Sequence, residues 1–200
     1  MTPARPFISA MQVTLDGYLM GPKEETDWVD SWADGLGLLP PVDAFVLGGG
    51  MFPQYEQFWA AVLDEGDAAA DMLGRKPYTR ELSYARHAAE TPHYVLSTTL
   101  TDHSWPSARI VRDLGELRAL RQQRGQAVYV VGGPGLLASL IGASLLDEIR
   151  LIVHPVVVGG GLALFGGITE REDIELVTAA PRSDGRVNLT YRLTADDAGD

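Results

Sequence analysis

Apolar residues in this chain fall into short continuous runs, and most of those runs close on glycine or on a turn pair. FISAMQV at 7–13 leads into Asp16-Gly17, VDAFVL at 42–47 into three glycines, and VYVV at 128–131 into two. IRLIVHPVVV at 149–158 is broken at His154-Pro155 and ends in three more glycines. Runs of this length without polar alternation predict strands covered on both faces. HYVLSTTL at 93–100 reads as a further strand, and ARIVR at 108–112 as a weaker one.

Between these runs the spacing becomes helical. FPQYEQFWAAVLDE at 52–65 is amphipathic, with Pro53 tolerated in the first turn. DLGELRALRQQRG at 113–125 puts Leu114, Leu117 and Leu120 on one face, with Gly125 as the stop. GPGLLASLIGA starts a helix directly behind its glycines, and in TDWVDSWAD, Thr26 or Asp27 caps a helix carrying Trp28, Val29 and Trp32. Residues 66–92 are polar and mixed, which suggests a surface excursion with one short helix. DIELVTAAPRS and GRVNLTYRLT form a hairpin turning at Asp184-Gly185, and 195–200 reads as a frayed tail. Strands alternating with helices predict an α/β fold in three layers, α/β/α. Its central sheet is mostly parallel, with an antiparallel C-terminal hairpin at one edge. No repeat or linker divides residues 1–200, so one domain is expected, with its core at about 5–194.

Composition narrows the function classes. The 200 residues are 46% hydrophobic and 22% charged, as in ordinary globular domains. A formal net charge of -11 argues against a nucleic-acid partner, which needs clustered Lys and Arg. Zero cysteines remove disulfides, thiol nucleophiles and Cys-based metal sites, and four histidines supply no metal constellation. No apolar run approaches the roughly 20 residues of a membrane span, and residues 1–6 do not read as a targeting signal. A cytoplasmic protein without a membrane partner is expected.

Glycine clusters at strand ends raise a chemical question, because glycine weakens a strand and packing alone does not ask for it. Gly48-Gly49-Gly50, Gly132-Gly133 and Gly159-Gly160-Gly161 all sit where open α/β sheets bind ligands, beyond the carboxyl ends of strands. VVGGPGLLASL adds a helix N-terminus, whose amides can cradle an anion. The spacing is neither GxGxxG nor a P-loop. Tight turns and close helix–sheet contacts explain any single cluster equally well.

FISAMQVTLDGYL, VLGGGMFPQYEQFW, YVLSTTL, VYVVGGPGLLASLI and LLDEIRLIVHPVVVGGGLALF together resemble the dihydrofolate reductase-like superfamily. More closely, the chain is similar to the reductase domain of the bifunctional deaminase–reductase of riboflavin biosynthesis, from about residue 7 to 193. No HxE…PCxxC zinc deaminase motif is present. The resemblance therefore implies a reductase domain standing alone and, as relatives often form, a homodimer built at one sheet edge.

The same resemblance implies an NADPH site, NADH not excluded. Gly132-Gly133, joined by a cis peptide in many dihydrofolate reductases, would face the pyrophosphate and nicotinamide. Pro134, Gly135, Leu136 and Leu137 would open the phosphate-facing helix. Gly48 would lie under the cofactor, with Gly49 and Gly50 beside it, and Ser97 would bond phosphate at the adenosine side. Relatives commonly read LGRxTYE where this chain reads LGGGMFPQYE. The arginine expected at Gly49, which would contact a ribose 2′-phosphate, is missing. Arg75, Lys76, Arg80 and Arg109 are the candidate replacements.

For the chemistry, Asp16 matches the family's SLDG aspartate near nicotinamide and substrate; alternatively it only closes its own turn. Asp27 stands roughly where dihydrofolate reductases keep the pterin-binding carboxylate, as a candidate acid; alternatively it is a helix cap. Trp28 is a candidate wall for a heteroaromatic substrate, with Gly159 and Gly160 beside it, whereas Trp32 and His154 read as core. The expected activity is reduction of a small heterocyclic substrate, resembling that of 5-amino-6-(5-phosphoribosylamino)uracil reductase. The alternatives are dihydrofolate reduction, or a nucleotide- or pterin-binding module without catalysis.

Overall fold

A computed structural model of the chain describes residues 4–64 and 67–194. Its elements run β1 (Phe7–Thr14), β2 (Tyr18–Met20), a 3₁₀ segment (Trp32–Leu38), β3 (Val42–Gly48), α1 (Phe52–Asp64), α2 (Asp67–Leu73), α3 (Thr79–Glu90) and β4 (His93–Leu96). They continue with β5 (Ala108–Val111), α4 (Leu114–Arg121), β6 (Ala127–Val131), α5 (Pro134–Gly142), β7 (Glu148–His154), β8 (Leu162–Ala163), β9 (Ile174–Pro181) and β10 (Val187–Leu193).

The main sheet has the order β5-β4-β3-β6-β1-β7-β10-β9. Every ladder from β5 to β7 is parallel, and β10 runs antiparallel to both of its neighbours. Successive side chains of a strand point to opposite faces, so the continuous apolar runs feed two cores at once. Phe7, Val128, Val130 and Ile149 pack with Leu117 and Leu120 of α4 and Leu137 and Leu140 of α5. Ile8, Phe45, Leu47 and Val95 pack on the opposite face with Phe52, Trp59 and Val62 of α1 and with Tyr84 and Ala85 of α3. This is the three-layer α/β/α arrangement expected, hairpin included. At the amino-terminal ends of the strands, Asp147 accepts the amide of Phe7 at 2.7 Å and the Arg121 guanidinium, tying β1 to α4.

Three local expectations are corrected, and one small element is added. No helix starts at Thr26 or Asp27; residues 26–31 are turns and coil, and the 3₁₀ segment follows. Gly35 and Gly37 weaken a regular helix there, and Pro40-Pro41 ends it. Residues 67–90 form two helices, α2 and α3, the second of which joins the core. The sequence hides α3 because its inward face is small or aromatic (Tyr84, Ala85, Ala88) and includes the buried Glu81, neutralised by Arg75 at 2.8 Å. α4 stops at Arg121 rather than Gly125, and Gly125 is glycine because Arg5 and Asp43 pack against it. β2 and β8 pair as a small separate sheet that no periodicity announces, since they hold three and two residues. The expected frayed tail at 195–200 lies outside the described residues.

Candidate functional site

Two adjoining cavities open beyond the carboxyl ends of β3, β6 and β1. One is a groove of about 410 Å³ lined by Gly48, Gly50, Gly133, Pro134, Gly135 and Leu136, with Leu162 beyond them. The other is a pocket of about 280 Å³ between β1, β6, the 3₁₀ segment and α1, walled by Trp32, Phe58, Trp59 and three tyrosines. Met51 and Gln54 line both.

The glycine clusters divide into two kinds. A Cβ on Gly50, Gly133 or Gly135 would meet no atom within 4 Å, so those positions leave bare backbone facing the groove. Gly49, Gly132 and Gly161 answer to internal packing instead. A side chain there would strike Ser97, Leu136 and the Met20–Gly21 backbone, respectively, and Gly161 also has φ +113°. Gly159 and Gly160 are open, on the loop between β7 and β8.

α5 begins at the groove. Gly133 is its N-cap, Pro134 occupies the first turn, and the Leu137 amide closes the first helical bond on the Gly133 carbonyl at 3.2 Å. The amides of Gly135 and Leu136 have no acceptor within the helix by position, and they sit at its positive end. A groove with a glycine floor and this helix start fits a dinucleotide's diphosphate. No described peptide bond is cis, that of Gly132-Gly133 included.

At the neighbouring strand ends, the Ser97 hydroxyl accepts the amides of Thr99 at 3.2 Å and Leu100 at 2.9 Å, closing the loop after β4. Arg112, directly beyond β5, was not among the residues expected to serve. Its guanidinium donates to the carbonyls of Ser97 at 2.8 Å and Leu100 at 2.9 Å, and no carboxylate bridges it among the described residues. The four replacements expected from the sequence lie elsewhere. Arg75 holds Glu81, Arg80 holds Asp30 and Asp34, Arg109 holds Glu116, and neither they nor Lys76 line the groove. The strand-end rule that singled out the glycines points to Arg112 once it is applied to the weak strand β5.

The two candidate carboxylates occupy different surroundings. Asp16 accepts the Thr14 hydroxyl at 2.7 Å and the amides of Gly159 at 2.7 Å and Val158 at 3.2 Å. The Thr14 hydroxyl, with those amides, holds its carboxyl below the usual range, so Asp16 is an ionised latch between the β1 turn and the glycine loop. Asp27 is exposed on a turn and does not line the pocket. Nor does Trp28; it is Trp32, 44% exposed rather than core, that walls the pocket. His154 is buried and shares a 3.0 Å hydrogen bond with the Gln12 amide, as a satisfied core histidine.

A polar chain runs from two of the pocket's tyrosines into the core. Tyr84 and Tyr55 hydroxyls lie 2.9 Å apart, Tyr55 lies 3.3 Å from His93 Nε2, and His93 Nδ1 lies 2.8 Å from the Thr91 carbonyl. Burial pushes the His93 imidazole down to about 4 and raises both phenols, so all three groups are neutral near pH 7. Among the described residues no group of three or more His, Asp or Glu could hold a metal ion, and no helix is long and apolar enough to cross a membrane.

The signature of the RibD C-terminal domain matches residues 6–187. The chain belongs to that family. Among curated proteins it is similar to the uncharacterized protein YyaP of Bacillus subtilis (strain 168), 29% identical over 192 residues and covering 94% of each chain. Among solved structures, a Shewanella sp. PV-4 protein with a proposed place in riboflavin biosynthesis superposes with a TM-score of 0.66 at 20% identity, over 95% of this chain and 99% of that one. The Thermotoga maritima diaminohydroxyphosphoribosylaminopyrimidine deaminase/5-amino-6-(5-phosphoribosylamino)uracil reductase gives 0.65 at 16% identity, over 96% of this chain and 57% of that one. Enterococcus faecalis dihydrofolate reductase gives 0.58 at 14% identity, over 95% and 97%. At these identities the superpositions show a shared dihydrofolate reductase-like fold. The RibD C-terminal domain core therefore covers both cavities and every strand whose carboxyl end faces them.

Proposed function

We propose that this RibD C-terminal domain protein is an NAD(P)H-dependent reductase of a small heterocyclic substrate, working in the cytoplasm. One observation carries the reading: a groove with a glycine floor, leading into a helix N-terminus, adjoins an aromatic pocket through Met51 and Gln54. When bound, a reduced nicotinamide supplies a hydride to an electrophilic carbon, and a proton completes the reduction at the adjoining heteroatom. The Gly135 and Leu136 amides would hold the diphosphate, and Gly133 would leave room for the flat ring. Trp32, Phe58 and Trp59 exclude water from the acceptor. Asp16 positions the Gly159 loop, and Asp27 has no place in the pocket, which disfavours the dihydrofolate alternative.

In this reading the adenosine end would run toward β4 and β5. From β1 to β5 the sheet spans four strand spacings, or about 19 Å. On that course Ser97 and Arg112, beyond the ends of β4 and β5, would meet the ribose. Arg112 would then take the place of the arginine expected at Gly49 and would favour NADPH over NADH.

The partner in this reading is a second copy of the chain. All eight residues of β9 are exposed at the open sheet edge, Ile174, Leu176 and Val177 among them. Such an edge invites pairing by another strand. Calorimetric titration with NADPH and NADH tests the core of the proposal, followed by loss of nicotinamide absorbance with candidate ring substrates. A protein that binds neither nucleotide is not this reductase.

A further inference from the structure

The aromatic pocket has a composition of its own. Of the fourteen residues lining it, none carries a formal charge. The cations flanking the 3₁₀ segment are already engaged: Arg80 with Asp30 and Asp34, and Arg186 with Asp34 and Asp184. At about 280 Å³ the pocket lies at the small end of ligand sites. That volume suits one or two fused rings and offers a phosphate no cationic wall. A phosphate dianion taken from water into such walls, without a counter-charge, would meet a large desolvation penalty.

The direction of its hydrogen bonds can also be worked out. The Thr91 carbonyl can only accept, so His93 Nδ1 carries the proton and bare Nε2 accepts from the Tyr55 hydroxyl. Tyr55 has then spent its one proton, so Tyr84 donates to Tyr55. Tyr129 donates to the Ala10 carbonyl at 3.0 Å. Three phenols line the pocket and none has a proton left. Each can only accept from a ligand.

We propose that the pocket selects an uncharged planar ring system of one or two cycles bearing an N–H or O–H donor, and discriminates against phosphorylated substrates. The proposal rests on the reductase reading for its role, since this ring is what would be reduced. It separates the chain from the phosphoribosylated substrate in the name of the Thermotoga maritima relative.

The test is calorimetry on the protein alone with 2-naphthol, 2-naphthyl phosphate and 2-methoxynaphthalene. The expected order has the phosphate at least a hundredfold weaker than 2-naphthol, and the methyl ether, which lacks the donor, about tenfold weaker. Gln54→Arg places a cation at the exposed rim and should raise the phosphate's affinity tenfold or more. Tyr84→Phe removes an acceptor and should narrow the gap between naphthol and its methyl ether. The proposal is overturned if the phosphate binds as well as 2-naphthol, if none of the three binds, or if Gln54→Arg leaves the phosphate unmoved. NADPH titrated into the same preparation decides the reductase reading separately. A protein that takes 2-naphthol in the expected order but not NADPH keeps the pocket and loses the reductase.

Discussion

Gly49 stands where the resemblance leads one to expect an arginine, and the structure gives a physical reason for glycine that can be measured. A Cβ added at Gly49 would lie less than 3.0 Å from both Cβ and Oγ of Ser97. Ser97 cannot swing aside cheaply. Its amide is bonded to the Val111 carbonyl at 3.0 Å, its carbonyl holds Arg112, and its hydroxyl closes the loop to Leu100. The Gly49 amide is likewise fixed on the Leu96 carbonyl at 3.0 Å. Relief therefore requires the ends of β3 and β4 to part. Overpacking of this kind costs about 1–3 kcal/mol. The lower entropy of an unfolded alanine chain returns about 0.4–1 kcal/mol, because Gly49 is not in the left-handed region.

Gly49→Ala should thus lose about 1–2 kcal/mol, or roughly 2–8 °C in Tm for a chain of this size. Ser97→Gly alone should also destabilise, through the two amides it leaves open. Combined, the two changes should cost less than their sum by about 1–2 kcal/mol, because the collision disappears. Urea denaturation of the four proteins of the cycle measures this coupling. A coupling within about 0.5 kcal/mol of zero would refute the contact as the reason for glycine. By the same reasoning, Gly49→Arg should not improve NADPH binding until Ser97 is also reduced to glycine.

Arg112→Gln should weaken NADPH about tenfold while leaving NADH within about twofold, an effect that fades with added salt; equal loss for both nucleotides would remove Arg112 from the phosphate. The unfolded chain protonates His93 near 6.5, whereas the folded chain holds it at about 4. The unfolded state therefore takes up the proton first, and stability should fall as pH drops from about 6.5 toward 4, by roughly 3 kcal/mol from this group. His93→Gln should flatten that part of the profile in urea melts, and an unchanged slope would assign it elsewhere. Leu176→Glu at the exposed β9 edge should convert a dimer to a monomer in sedimentation without lowering Tm by more than about 2 °C; a wild-type protein that sediments as a monomer rules out this interface.

The fold was readable because both faces of the sheet are covered, which forces strands into continuous apolar runs that no amphipathic helix imitates. β6 carries that signal fully and β3 and β7 carry it in part, whereas α1 and α4 carry the opposite one. α3 escaped because its inward face is alanine, tyrosine and a neutralised Glu81, so hydrophobicity does not mark it. The candidate site was readable only to its backbone. Glycine at a strand end reports that something passes close, but not whether that is a ligand or the protein itself. Gly50, Gly133 and Gly135 face open space, whereas Gly49, Gly132 and Gly161 face Ser97, Leu136 and the Met20–Gly21 backbone. The same residue type serves both uses, and only coordinates separate them. The pocket was harder still, because Tyr55, Tyr84, Tyr129 and Trp32 come from four separate elements, and each looks like core within its own. What would make them a site is a shared deficit, with no charge on the walls and no hydroxyl proton to spare. A deficit of that kind belongs to the assembled wall, and no single stretch of sequence can display it.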